Sequence, residues 1–364
     1  MKNTFGQNMQ ITLFGESHGP YIGAVLDGLA PGIQIDEEYI NHQLMLRRPV
    51  GKISTARTEE DKYSIVSGIC NGYTTGTPLC ILIPNTNTRS SDYDKLRTVP
   101  RPGHADYTAT LKYHGFADYR GGGHFSGRIT AAIVAAGAIV IPALRDKGIS
   151  IGTHIATLAD ANDRKFGDYI TDITSLNNKV FAVLDDATES KMKEIIESAA
   201  NDGDSVGGVL ETAVIGMPGG VGEPWFDTLE GILSHALFSI PAIKGVEFGA
   251  GFDMATLRGS ENNDSFCITN NAVTTLTNNN GGINGGISNG MPITIRCAVK
   301  PTPSIYKTQQ SVNLETMTNT DLNIEGRHDP AIIHRARVVV DSMVALTLYD
   351  TLVGRYGTDY FGGK

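Results

Sequence analysis

Apolar and polar positions alternate with period two in five stretches: "MQITLF" (9 to 14), "IGAVLDG" (22 to 28), "LCILIP" (79 to 84), "VGGVLETAVIG" (206 to 216) and "ITIRCAV" (293 to 299). Such alternation sends every second side chain to one face, so each stretch predicts a half-buried strand of an antiparallel sheet. Helical spacing takes over at 36 to 47, 126 to 147, 189 to 201, 226 to 239 and 330 to 353. Asp36 predicts an N-cap for the first helix and Gly148 a stop for the second, while Asp329 followed by Pro330 predicts the cap and first helical position of the last. Three loop-rich regions interrupt the pattern at 48 to 62, 84 to 125 and 258 to 290. The third contains "NNNGGINGGISNG", a composition that suits either a disordered linker or a loop that orders around a ligand. Strand and helix signals alternate throughout, and no clean domain boundary shows.

At 364 residues and 40% apolar the chain can build a large core, as one large domain or two ordinary ones. Its formal charge of −9 argues against broad adhesion to nucleic acid or to an anionic membrane, so any anion site must be local. Cys70, Cys80, Cys267 and Cys297 form no CxxC pair, which argues against a zinc knuckle and for reduced thiols; no metal is expected. The first residues, "MKNTFGQNMQITLFGESHG", lack the apolar run of a signal peptide, and no stretch of about 18 uninterrupted apolar residues follows. A cytoplasmic protein with no membrane segment is the expectation.

Against that acidic background the stretch "DYRGGGHFSGRITAAIVAAG" (118 to 137) places Arg120, His124 and Arg128 beside a run of glycines. If Ser126 caps the following helix, its first-turn amides and dipole point toward those glycines, where an anion can approach the backbone. The same residues also suit a plain turn before a close-packed helix. In "FGESHGPYIGAVLDG" a strand ends beside His18, and in "RPGHADYTA" Arg101 and His104 flank a Pro-Gly turn. Either histidine could serve as an acid or base near neutrality or simply face solvent. In "EGRHDPAIIHRARVVVDSM" Asp329 reads as a cap, and Arg337 and Asp341 as an i,i+4 pair on one helix face. Lys300, Thr302 and Ser304 in "VKPTPSIYK", spaced by Pro301 and Pro303, suit a phosphate or the end of an edge strand.

Singly these motifs are weak, but in this order "GESHG", "RPGHAD", "RGGGHFSGR" and "GRHDP" together resemble chorismate synthase. Similar matches at "RRP", "TTGTP", "AIKGVEFGAGF", "GGINGGISNG" and "KPTPSI" carry the resemblance from about residue 5 to beyond 345. It implies an α+β fold: a β-α-β sandwich, two antiparallel sheets around a helical core, in a single domain over 1–364, with a homotetramer as the assembly. It also implies that phosphate is lost by 1,4-anti elimination from 5-enolpyruvylshikimate 3-phosphate to give chorismate. Reduced FMN is required without net redox change, supplied by a separate flavin reductase or a reducing environment.

Carried over to this chain, the family's catalytic histidines fall on His18 and His104 and its aspartate on Asp329. The histidines are expected to assist the departing phosphate and the proton on flavin N1, the aspartate to relay the C6 proton near N5. Arg47, Arg48, Arg101 and Arg128 are the implied substrate contacts. His124, Phe125, Ser126, Pro241, Ala242, Gly285, Lys300, Pro301, Thr302, Pro303, Ser304 and Arg327 are the implied flavin contacts. Where many relatives read "GGGRSSAR" this chain reads "GGGHFSGR", so a titratable imidazole and a bulky ring stand in for an arginine and a serine. Two rival readings are a non-catalytic flavin- or phosphate-binding protein, and an NAD(P)H-dependent flavoenzyme that would consume nicotinamide with turnover.

Overall fold

The computed structural model describes residues 2–49, 51–54, 60–86, 97–324 and 328–362. One antiparallel sheet runs, in spatial order, through Thr4–Phe5, Gln10–Gly15, Tyr21–Asp27, Leu79–Pro84 and Ser64–Ser67. A second runs through Ile243–Phe248, Ile293–Val299, Gly208–Ile215, Ser150–Leu158 and Ala161–Asn162, again antiparallel. The register explains why period two was readable. Ile22, Ala24 and Leu26 face Ile83, Ile81 and Leu79 across the first sheet, all buried.

The helices are α1 (Glu37–Arg47), α2 (Asp106–Tyr113), α3 (Thr130–Asp146), α4 (Tyr169–Leu176), α5 (Asp186–Asn201), α6 (Leu229–Phe238), α7 (Gly259–Asn262) and α8 (Ile333–Tyr356). Helices α3 and α8 pack on each other, α3 against the Tyr21–Asp27 and Leu79–Pro84 strands, and α8 against Ser150–Leu158 and Gly208–Ile215. The two sheets therefore enclose a helical layer, the α+β architecture expected. Small side chains on α3 permit the close approach: Gly137 lies against Ser342 of α8. The stretch Gly127–Asp146 has a mean hydropathy of 1.9, enough to cross a bilayer, yet 89% of it is buried inside the protein. Its apolar character serves the core between the sheets.

Several elements escape the periodic reading for identifiable reasons. The strand Ser150–Leu158 is buried almost continuously because α4 and α8 both pack on it, so no alternation survives. Helix α2 buries only Ala109 and so has no apolar stripe. The 258–290 stretch is neither linker nor bare loop. It forms the hairpins Phe266–Thr269/Ala272–Thr275 and Ile283–Asn284/Ile287–Ser288, and the Asp264 carboxylate accepts from the amides of Asn279 and Asn280 and from Thr277 Oγ1.

Two expectations are corrected. Asp36 caps α1, accepting from Tyr39 N at 2.9 Å, but Asp329 does not cap α8. The Pro330 carbonyl accepts from Val206 N at 2.9 Å, so it is engaged outside the helix, which starts at Ile333. The Arg337–Asp341 pair forms at 3.2 Å, but in the interior, their side chains 1% and 5% exposed. Thr153 Oγ1 also donates to Asp341 at 2.6 Å, and burial pushes that carboxyl above its ordinary value.

Candidate active site

Gly121, Gly122 and Gly123 have φ of 59°, 84° and 53°, three successive left-handed residues that only glycine adopts without strain. Their turn delivers the chain to Ser126, whose Oγ accepts from Arg128 N at 3.3 Å and caps a 3-10 turn, Gly127–Ile129, that continues into α3. The glycine turn is sewn to the His18 loop. Ser17 N donates to Gly123 O at 3.1 Å, Ser17 Oγ sits 3.1 Å from the Arg120 and Gly121 carbonyls, and His124 donates from Nδ1 to Gly15 O at 2.8 Å. Asn85 pins the same loop from its other side, donating to Glu16 O and Gly19 O at 2.9 and 2.8 Å.

These turns open on a cavity of about 1250 Å³. Among the predicted residues, Arg47, Arg101, His104, His124, Phe125, Ser126, Arg128, Pro241, Ala242, Lys300, Thr302, Pro303 and Asp329 line it. His18 is buried one layer behind: an added Cβ on the wall residue Gly121 would meet its Cε1 at 2.2 Å. Ser304 also stands behind the wall, 2.8 Å from His104 Nε2 through its Oγ. Pro301, Gly285 and Arg48 are not lining residues. Gly285 sits in the turn of the Ile283–Asn284/Ile287–Ser288 hairpin, and the Arg48 guanidinium donates to the Glu60 carbonyl. Arg327 lies outside the described residues. Arg120, singled out with Arg128, does not line the cavity either, because Asp118 takes its fork at 2.8 Å from both Nε and Nη2.

Among the described residues, eight cationic side chains and four carboxylates line the wall. Several of the cations are already paired. Arg101 donates to Asp106 from Nε and Nη2, each at 2.8 Å; burial opposes ionisation of Asp106, but these bonds prevail and hold its carboxyl below the ordinary value. Arg335 Nη1 donates to Asp329 at 2.8 Å and its Nε to the Arg47 carbonyl at 2.9 Å. Burial, and then the Arg101 charge, push His104 down to about 4, so this imidazole is neutral at pH 7. Burial followed by the Lys244 charge lowers the Lys300 ammonium, which donates to Gly103 O.

The wall fits a ligand bearing anionic and hydrogen-bonding groups. Thr302 Oγ1 is buried and has no partner among the described residues, and a Cβ on Gly122 would find nothing nearer than 3.8 Å. An orphaned hydroxyl and an open glycine on the same cavity fit the flavin that the resemblance implies, at the wall of Ser126, Pro241, Ala242, Lys300, Thr302 and Pro303.

The chorismate synthase family model matches residues 9–353. A chorismate synthase of Dehalococcoides mccartyi is 49% identical over 353 residues, 96% of each chain, and one of Thermococcus gammatolerans 45% over 350 residues, covering 96% of this chain and 97% of the relative. A crystal structure of chorismate synthase superposes with a TM-score of 0.76 at 28% identity, covering 97% of this chain and 94% of that one. The chain belongs to the chorismate synthase family. It is therefore a carbon–oxygen lyase of chorismate and aromatic amino acid biosynthesis.

Four residues of this chorismate synthase site were not singled out in the sequence: Asp61, Asn85, Asp106 and Arg335. Each acts by pairing with a singled-out residue or by holding its loop; Asp106 is five positions from Arg101 and Arg335 six from Asp329. These two were within reach, because "RPGHAD" and "EGRHDPAIIHRARVVVDSM" contain them.

Gly121→Ala tests the seating of His18. The new Cβ would fall 2.2 and 2.3 Å from His18 Cε1 and Nδ1, on a backbone at φ +59°. Turnover is expected to drop on the order of 10²-fold, as for an ångström-scale displacement of a reacting group. Steady-state kinetics beside a melting curve separates this from unfolding, since the enzyme should remain folded.

Proposed function

We propose that this cavity converts 5-enolpyruvylshikimate 3-phosphate to chorismate by 1,4-anti elimination, losing phosphate and the C6 proton. The observation that carries the reading is the convergence on one cavity wall of His104, Asp329 and the cations Arg47, Arg101, Arg128 and Lys300, drawn from separate parts of the chain. Guanidinium groups so placed stabilise charge as it builds on a departing phosphate. The neutral His104 imidazole, beside the Ser304 hydroxyl, can accept a proton at neutral pH, and His18 provides a second imidazole behind Gly121. Asp329, held by Arg335, would relay the proton lost from C6.

Reduced FMN, when bound, lends electron density to the substrate as the phosphate leaves. His124, Phe125, Ser126, Pro241, Ala242, Lys300, Thr302 and Pro303 would hold it, with Pro301 and Ser304 behind them; Gly285, in its hairpin turn, does not line this wall, and Arg327 lies outside the described residues. A separate flavin reductase or a reducing environment supplies the reduced form, and the working protein is a cytoplasmic homotetramer of single-domain subunits.

An anaerobic assay with dithionite-reduced FMN and 5-enolpyruvylshikimate 3-phosphate tests this, following phosphate and chorismate together. Equal release of both, with no nicotinamide oxidised, is expected; oxidation of NAD(P)H in step with turnover would instead make it an ordinary flavoenzyme. Asp329→Asn keeps the size of the side chain and removes the proton acceptor. Since Asp329 is no helix cap, the variant should melt within a few degrees of the wild type while kcat falls by about 10²- to 10⁴-fold.

A further inference from the structure

Two of the cationic walls share one hidden carboxylate. Arg47 reaches Asp61 from Nη1 at 3.4 Å, Arg128 Nη1 donates to the other carboxylate oxygen, and the Asp61 side chain is 0% exposed. Around this centre Arg47 Nε donates to Thr130 Oγ1 and its Nη2 to the Arg128 carbonyl, both at 3.2 Å. Arg128 Nε donates to Asn85 Oδ1 at 3.0 Å and its Nη2 to Pro84 O at 3.3 Å. Asp61 does not line the cavity. It stands behind the two guanidiniums, in the left-handed region at φ 47°, where a non-glycine residue persists only if its surroundings hold it.

The geometry points to Asp61 as the positioning residue of the anion site, an internal counter-ion that holds Arg47 and Arg128 side by side. Two guanidiniums this buried repel one another and lose their hydration, so they can be kept together only if a charge offsets both. With Asp61 between them the three side chains carry one net positive charge, presented to the cavity from a fixed frame. A substrate phosphate or carboxylate then meets preorganised donors whose ordering has already been done in folding. Asp61 acts through the arginines and touches no substrate.

This inference rests on the proposed substrate, and chemical rescue tests it. Asp61→Ala should raise KM for 5-enolpyruvylshikimate 3-phosphate by about tenfold or more, with a smaller change in kcat, because binding loses its preorganised donors. Formate, a small carboxylate able to enter the vacated space, should restore KM and raise the melting temperature of the variant. Formamide, of similar size and neutral, and sodium chloride at the same ionic strength should do neither. Asp61→Asn fills the space without the charge, so it should share the raised KM and show no response to formate. An unchanged KM in Asp61→Asn, or formamide acting as well as formate, would overturn the assignment. The melting shift needs no turnover, so a wild type inert toward the substrate would refute the proposed function while leaving the counter-ion test readable.

Discussion

His104→Ala is expected to slow phosphate release by about 10²- to 10⁴-fold, the range for loss of a positioned acid–base group. The proposed role needs an imidazole that is free to take up a proton at neutral pH. Burial and the Arg101 charge bring it to about 4, and Ser304 Oγ lies 2.8 Å from Nε2, so the ring is both oriented and uncharged when the enzyme operates. Near-normal turnover in the variant would remove His104 from the reaction. A second readout comes from its depressed pKa. In the unfolded chain this imidazole takes up its proton near the ordinary value of 6.5, whereas in the folded protein it does so only near 4. Its contribution to stability is thus complete above about 6.5 and is lost as the pH falls toward about 4. The alanine variant should lose less stability than the wild type across that window, measured by denaturant titration at successive pH values.

Gly137→Val should have the largest effect on folding. An added Cβ on Gly137 would lie 2.3 Å from Ser342 Cβ and 2.6 Å from Ser342 Cα, so the obstacle is backbone of the facing helix and cannot rotate away. Relief requires α3 and α8 to separate, and each is packed against a different sheet. The strain would spread through a core that resists deformation, and a loss of more than about 4 kcal/mol, or no folded protein, is expected. Ser342→Gly removes two of the three clashing atoms, Cβ and Oγ, and leaves Cα. Combined with the milder Gly137→Ala, it should recover part of the stability that Gly137→Ala alone forfeits, a coupling that a double-mutant cycle in urea would register. Additive effects of the two changes would mean that the helices do not meet at this point.

The two helices show how much of the fold was legible. Alanine-rich α3 and apolar α8 could each be read from spacing, and so could the five alternating strands, since one side of each segment faces the core. Nothing local revealed that Gly137 meets Ser342. The strand Ser150–Leu158, covered on both faces, lost its alternation, and α2, nearly all exposed, never had a stripe to read.

The candidate site divides in the same way. The motifs placed His104, Arg101, Arg128, the glycine turn and Asp329, because a glycine run and a helix start are encoded in adjacent residues. They did not show that Asp118 takes Arg120, that Asp329 faces Arg335 in place of a helix amide, or that His18 stands behind Gly121. Adjacent residues therefore encode the local devices: strand faces, helix periods, a glycine run before a helix and the types of side chain that do chemistry. Only the tertiary structure decided which charges neutralise one another and which reach the cavity. Electrostatic partners are chosen by distance in space, and between Arg47, Asp61 and Arg128 that distance is set by how a helix end, a loop and a helix start pack together.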